Sequence, residues 1–389
     1  MDSIYKIIER QVNNEDGGLW FWNQSINKII IKVPTHTAKA ILKGKSISLY
    51  IKSISLFSRD VLFSGVSIDD FDSNPIELFG INQFKEEIEI IRDVFKNESI
   101  SVDVFNELGI CVLTGIAEIN DLTRKYVFEE LDKSVIDNED FIVAPCLDFF
   151  EKEILPKNDI QKVKLNLEKI QIINNHFIGT NISHFSLDNI NEGSALELEV
   201  LTALDGIFKE KIYHSPYFIN GTLKKELTDL FAIGEYGVFI FETKCMAILQ
   251  LEKENSVERR VANVQKQIKK ALKQVSGVCR NLKSNKIFNK ETGEEIIFNR
   301  NLIPHCVIII DELLPFGEWE HIVLEVMETM LKDKSYINIL DVIEFMKLVK
   351  VSASRPHYFD YNLMNRTETF VKTQSLFIKG VPEPNQHIK

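Results

Sequence analysis

Three residues in the second half of the chain have the types and spacing to do hydrolytic chemistry: Asp229, Glu242 and Lys244. They lie in two apolar runs, ELTDLFAI (226–233) and GVFIFETK (237–244), which read as strands joined by a tight connection. Residues two apart on a strand point to one face, so Glu242 and Lys244 share a face. With Gly234-Glu235-Tyr236-Gly237 as the connection, Ile233 opposes Val238 and Asp229 falls opposite Glu242; a loop one residue longer or shorter shifts that pairing. Directly opposed side chains bring Cβ atoms to roughly 4.5–5.5 Å, where like charges repel. Phe231, Ile233, Val238 and Ile240 share this face, and Leu230, Ala232, Phe239 and Phe241 take the other. Two apolar faces mean covered, central strands. Two carboxylates and a lysine are costly there unless something compensates them. A divalent cation is the natural compensation, since adjacent carboxylates are hard oxygen ligands suited to Mg²⁺.

An upstream helix supplies a third carboxylate. On an ideal helix of about 100° per residue, Leu196, Val200, Leu201, Leu204, Ile207 and Phe208 of SALELEVLTALDGIF (194–208) form one apolar face. Glu197 falls inside that face and Glu199 at its edge, towards solvent. Glu197 is the preferred functional carboxylate and Glu199 the alternative.

The layout helix-Glu, strand-Asp, hairpin, Glu-x-Lys resembles the PD-(D/E)xK nuclease superfamily, the restriction-endonuclease-like fold. The matching segments are ALELEVLTAL, ELTDLFAI and VFIFETK, with Thr228 in place of the proline that names the pattern. The resemblance covers residues 194–283, extends loosely to 345, and does not reach residues 1–150. It implies an α/β core of order αβββαβ and metal-dependent phosphodiester hydrolysis. Asp229 and Glu242 would bind Mg²⁺ (or Mn²⁺), with the Thr243 carbonyl as a further ligand. Glu197 would complete the metal shell directly or through water, and Lys244 would orient or deprotonate the attacking water. The implied partner is nucleic acid, DNA in preference to RNA, cut internally rather than from an end. Defence against phage or foreign DNA is a common setting for such enzymes. The competing expectation is a catalytically silent protein of the same fold that binds nucleic acid or protein.

The helix expected at 256–283 carries eight basic residues and one acidic. Val257, Val261, Val264, Ile268, Leu272 and Val275 make its buried stripe. Lys266, Lys269, Lys270, Lys273 and Arg280 lie opposite, and Gln267 and Gln274 share a flank. Lys266, Lys270, Lys273, Gln267 and Gln274 are the candidate nucleic-acid contacts; the bland alternative is an ordinary solvated face.

These groups must be held by the elements around them. The second half reads helix (194–208), strand (211–219), the two strands above, helix (256–283), strand (303–310), helix (317–332), then a strand at 337–342 running into helix 342–349. Residues 18–120 are rich in short β-branched and aromatic runs, so residues 1–150 read as one β-rich α+β sensor or interaction domain. Residues 81–96 fit a helix or a strand, and residues 156–175 look helical. The expected division is therefore 1–150, a helical connector at 151–190, and a nuclease-like domain at 191–389 with a C-terminal α/β extension.

Composition bounds the rest. Of 389 residues, 44% are hydrophobic and 26% charged, as in an ordinary globular protein and unlike a disordered or fibrous chain. No apolar run approaches a membrane span. Asp2 and Glu9 stand where a signal peptide would be basic and apolar, so a cytoplasmic protein is expected. Five scattered cysteines give neither a disulfide frame nor a CxxC zinc site. His176, His184, His214 and His305 show no ligand spacing and are assigned to structure. Net charge is −11, unevenly spread: residues 17–59 carry seven basic side chains and no acidic one, and residues 60–150 carry net −15. The lysines of 17–59 are expected at the surface with Trp20, Phe21, Trp22 and Tyr50 in the core. The acidic and basic blocks also allow a homo-oligomer.

Overall fold

The computed structural model describes residues 4–56, 59–69, 75–134, 143–157, 160–178, 182–246, 256–352 and 354–380. The protein is mixed α/β and forms two compact units, residues 1–175 with 186–188, and residues 176–185 with 189–389. Among the described residues no helix is long and apolar enough to cross a membrane.

Unit 1 runs α1 (Ile4–Asn14), β1 (Gly18–Trp22), β2 (Lys28–Lys32), α2 (Thr35–Leu42), β3 (Ile47–Leu56), β4 (Arg59–Ile68), β5 (Ile76–Asn82), α3 (Lys85–Val94), β6 (Ser99–Phe105) and β7 (Cys111–Glu118). It continues through α4 (Asp121–Lys133), α5 (Val143–Phe149), β8 (Val163–Leu165) and β9 (Leu167–Ile172). One sheet has the order β1-β2-β6-β7-β9 and a second, antiparallel throughout, the order β5-β4-β3-β8. The ambiguous stretch 81–96 divides: β5 ends at Asn82 and α3 follows. Glu87 starts that helix by accepting hydrogen bonds from Gln83 N (2.6 Å) and Phe84 N (3.0 Å). Ile90, Ile91 and Val94 are buried at helical spacing.

Residues 156–175 correct the sequence reading. Among the described residues of the expected helical connector 151–190, helix is confined to one irregular turn at 150–157, and β8 to β11 take up much of the rest. β8 adds to β3 (Ile47↔Leu165) and β9 to β7 (Leu113↔Ile172). Open sheet edges decide this segment, and local propensity cannot see them. The basic stretch 17–59 is also corrected in part. Lys32 is fully buried, and its Nζ donates to Val12 O (2.8 Å) at the end of α1, where unpaired carbonyls favour a cation. Lys39 is buried as well, whereas Phe21 and Tyr50 lie in the core as expected.

Unit 2 opens with a two-stranded sheet, β10 (Asn175–Ile178) and β11 (Ile182–Phe185), then α6 (Glu192–Phe208), β12 (Ile212–His214), β13 (Tyr217–Asn220), β14 (Leu223–Glu226), β15 (Leu230–Ile233), β16 (Val238–Lys244) and α7 (Val257–Ser284). After these come β17 (Ile287–Phe288), β18 (Pro304–Ile310), α8 (Glu320–Asp333), β19 (Tyr336–Asp341), α9 (Val342–Ser352) and α10 (Pro356–Thr373). The main sheet has the order β12-β15-β16-β18-β19. Its first two pairings are antiparallel and its last two parallel, with α7 and α8 as the crossovers. A small sheet β14-β13-β17 stands beside it. The order α-β-β-β-α-β is thus present, with one insertion. The expected strand 211–219 breaks at Ser215, held at φ +45°, whose N–H donates to Asp229 O (2.7 Å), and the chain turns off into β13.

Helices cover both faces of the main sheet. Phe208 of α6 and Phe359 of α10 pack on Phe239, with ring centroids 5.0 and 5.9 Å apart. α7 lies on the other face: Cys279 Sγ is 3.6 Å from Cys306 Sγ, and Cys306 pairs with Ile240 in the sheet. The site face of β16 therefore looks towards α7. Phe239 is 1% exposed. Phe239→Ala is expected to destabilise unit 2 by about 3–5 kcal/mol. In a urea titration its midpoint should fall with unchanged slope; an unchanged midpoint would contradict this packing.

Candidate active site

Asp229 immediately precedes β15. The pairing runs from Leu230↔Phe241 to Ile233↔Val238, the register that the four-residue connection demands. Asp229 therefore meets the end of β16, where its Oδ2 accepts from Thr243 N (2.7 Å) and Thr243 Oγ1 (3.0 Å). Glu242 is 1% exposed. Its Oε2 accepts from Lys244 Nζ (3.1 Å) and its Oε1 lies 2.9 Å from Thr228 Oγ1. Lys244 Nζ also donates to Thr243 O (2.8 Å) and stands 3.9 Å from Asp229 Oδ2. The ammonium is thus seated among three groups that the sequence reading assigns to a metal: both carboxylates and the Thr243 carbonyl.

Burial is the main cause that pushes the Glu242 carboxyl up to about 7; Asp229 adds to it and Lys244 opposes it. The Asp229 carboxyl is also raised, first by burial, with Lys244 and the Thr243 amide pulling it back and Glu197 pushing it further up. The hydrogen bonds agree with a protonated Glu242. Thr228 has one hydroxyl proton but lies 2.9 Å from both Phe241 O and Glu242 Oε1. A proton on Glu242 donated to Thr228 lets Thr228 donate to Phe241 O, and both short contacts are satisfied.

Glu197 and Glu199 exchange their expected burial. Glu199 is 5% exposed, whereas the Glu197 side chain is 26% exposed. α6 packs on β11, α9 and α10 as well as on the main sheet, so a single apolar stripe cannot tell its inside from its outside. Glu197 is nevertheless the helix carboxylate whose charge acts on Asp229. Its Oε2 lies 3.5 Å from His214 Nε2. His214 and Thr228 belong to this site and were missed. His214 arrives because β12 pairs with β15 (His214↔Leu230), which no sequence spacing shows. Thr228 was visible as the residue in the pattern's proline position. Glu226, at the end of β14, adds a further carboxylate; burial and then Asp229 raise it.

The candidates on α7 are less closely tied to this group. Lys266, Lys270, Lys273 and Gln274 are exposed and Gln267 is half-buried. Among the described residues no hydrogen bond joins either glutamine to the carboxylates. Neither ion pairs nor other polar partners engage these three lysines there, unlike Lys269, 4.0 Å from Glu325. The structure brings Asp229, Glu242, Thr243 and Lys244 together with Glu197 nearby, and leaves the α7 residues as a separate polar and basic face. Of the remaining histidines, His305 is a buried core residue, paired with Asp360 (3.0 Å) and stacked on Phe239; the side chains of His176 and His184 lie outside the described residues.

Among the described residues no group of three His, Cys, Asp or Glu side chains is arranged to hold a metal ion. Mg²⁺ does not require such a cage, since it keeps several waters and is held by one or two carboxylates with substrate phosphates. The donor chemistry fits: two buried carboxylates share one ammonium, and Glu197 and Glu226 add negative charge.

No known sequence family and no curated protein matches the chain. Among solved structures the chain is similar to the small subunit of a heterodimeric restriction endonuclease. The TM-score is 0.29 at 9% identity, covering 47% of this chain and 89% of that one. So loose a likeness leaves any functional reading to rest on the site itself.

The raised Glu242 carboxyl has a pH signature. Its folded value lies above the usual value of 4.5, so the folded state binds more protons between the two. The contribution of Glu242 to metal-free stability should therefore be complete below about pH 4.5 and be lost as pH rises to about 7, by at most about 3 kcal/mol. Glu242→Gln should flatten that fall in EDTA and stabilise the protein at pH 8. Parallel stability–pH profiles for the two proteins would refute it.

Proposed function

We propose that unit 2 is a metal-dependent nuclease of the PD-(D/E)xK type, hydrolysing phosphodiester bonds of nucleic acid, DNA in preference to RNA and by internal cleavage. The observation that supports this most is the buried Asp229–Glu242–Lys244 group. It places two carboxylates and an ammonium at the end of covered strands, where no structural need explains their cost. Asp229 and Glu242 would hold Mg²⁺ or Mn²⁺, with Glu197 and the Thr243 carbonyl completing the shell. A metal bound there would lower the pKa of water and stabilise the negative charge that builds on the phosphoryl oxygens. Thr228 and the Thr243 amide orient the two carboxylates. Lys244 would give up its present acceptors to donate a hydrogen bond to the attacking water or to the phosphate oxygens; as an ammonium it orients the water and leaves the water's proton to solvent. The exposed lysines and glutamines of α7 would contact the nucleic-acid backbone.

The test is cleavage of supercoiled, linear and single-stranded DNA, and of RNA, with Mg²⁺, Mn²⁺ or EDTA. Asp229→Ala and Glu242→Ala are each expected to lose at least about 10²-fold in rate with folding retained. Metal-dependent cleavage that survives in both variants refutes the reading.

Lys244→Met separates binding from chemistry. The ammonium occupies the metal's donors, so its removal should abolish cleavage yet tighten Mn²⁺ binding by about tenfold in calorimetry. Unchanged or weaker Mn²⁺ affinity would contradict that competition. Replacing Lys266, Lys270 and Lys273 together by Gln should reduce the slope of log affinity against log salt by about 2–3. An unchanged slope would mark α7 as a plain solvated face.

A further inference from the structure

Unit 1 contains a cavity of about 190 Å³ that plays no part in the proposed chemistry. It lies among α1, β1, β5, α3 and α5. An engineered cavity of about 150 Å³ accepts benzene, so this one has room for a slightly larger ring. Its walls are aromatic and polar together, which distinguishes it from a dry packing defect. Trp20 is held in place by donating its Nε1–H to Gln11 Oε1 (3.1 Å), and the Phe79 ring packs on Phe150 with centroids 5.0 Å apart. These rings supply flat surfaces whose positions do not depend on a ligand.

Among the polar groups on the wall, which include the Gln11 and Gln83 amides and the Ser64 hydroxyl, two acceptor oxygens stand without a donor among the described residues. Asn82 commits its amide nitrogen to Ser64 Oγ (3.0 Å) and Leu62 O (3.4 Å), and no described residue donates to its Oδ1. Glu87 commits one oxygen, Oε2, to the Gln83 and Phe84 amides, which leaves Oε1 for another donor. Burial pushes the Glu87 carboxyl up to about 7, so the ligands are compared at pH 8, where it is ionised and Oε1 accepts. Glu15 adds a second carboxylate, and among the described residues of the wall there is no Lys or Arg. An anion placed here would meet two acids and no cation. A ligand rich in N–H groups would satisfy acceptors that are otherwise left to water.

Gly80 marks the free space. A Cβ built on it meets nothing within 4 Å, and its backbone is not among the left-handed glycines. A side chain there would enter the cavity without straining the strand.

We propose that this cavity binds a small planar ring of nucleobase size, neutral or cationic, that presents several N–H donors to Asn82 and Glu87 and lies against Trp20. The proposal is independent of the nuclease reading, and its test does not measure cleavage. The full-length protein is titrated with adenine, cytosine, benzamidine and benzoate, by calorimetry and by thermal shift. Adenine or cytosine should bind saturably, and benzamidine should bind at least about tenfold more tightly than its anionic isostere benzoate. Gly80→Leu should weaken adenine, cytosine and benzamidine by at least about tenfold with an unchanged circular dichroism spectrum. Glu87→Gln, which retains the oxygen that accepts the two amides, should reduce the preference for benzamidine over benzoate and serves alone if the leucine variant does not fold. Three results would each overturn the proposal: no saturable binding below about 10 mM, benzoate equal to benzamidine, or a preference that Glu87→Gln leaves unchanged. Undiminished affinity in a folded Gly80→Leu protein would do the same.

Discussion

An ammonium held between two buried carboxylates is the constraint on which unit 2 depends. Lys244 reaches Glu242 and the Thr243 carbonyl directly, and Asp229 more distantly, at a point where Glu242 is 1% exposed. Charges removed from water cost several kcal/mol each, and their attraction offsets this only when the remaining lone pairs and protons are also satisfied. The neighbouring threonines meet that condition. Thr243 offers Asp229 both its amide and its hydroxyl, and Thr228 stands against the outer oxygen of Glu242. One ammonium still cannot neutralise two carboxylates, and Glu197 and Glu226 deepen the imbalance. The raised carboxyl values express the same surplus as a tendency to take up protons.

The sheet exists in a form that makes this arrangement rigid. β15 and β16 are central strands; the Glu242 backbone is held by β18 and the Asp229 carbonyl by the Ser215 amide, which limits how far either carboxylate can relax. Phe239 and Phe241 hold one face against Phe208 and Phe359. α7 closes the other, and the parallel crossover to β18 requires a helix at that place. The charged group thus sits where β15 begins and β16 ends. Rigid strands with charges at their ends suit a reaction that depends on placing oxygen atoms accurately.

Unit 1 is built on a different plan. Its two sheets are mainly antiparallel, and part of the acidic charge of 60–150 is paired within the unit. Lys28 meets Asp103 (2.9 Å), Lys162 meets Glu77, and Arg92 meets Asp132 (2.7 Å). The strongly uneven charge of the sequence is therefore partly a record of internal pairing across distant segments. Lys32 is the extreme case, a fully buried ammonium that ends a helix.

Elements whose periodicity is strong and whose partners are close in the chain can be read from the residues alone. The β15–β16 hairpin, its register, and the meeting of Asp229 with the Glu242–Lys244 edge all follow from alternation and a four-residue connection. The helices α6 and α7 follow from their apolar stripes. Only the tertiary structure decided what depends on distant partners. Residues 156–175 contribute strands because the sheets of unit 1 offered open edges. Of the pair Glu197 and Glu199, it is Glu199 that is buried, because α6 is covered on several sides. His214 enters the site through the pairing of β12 with β15. Side-chain period reports only the nearest neighbours along the chain, whereas burial and electrostatics are set by whatever packs across the space between.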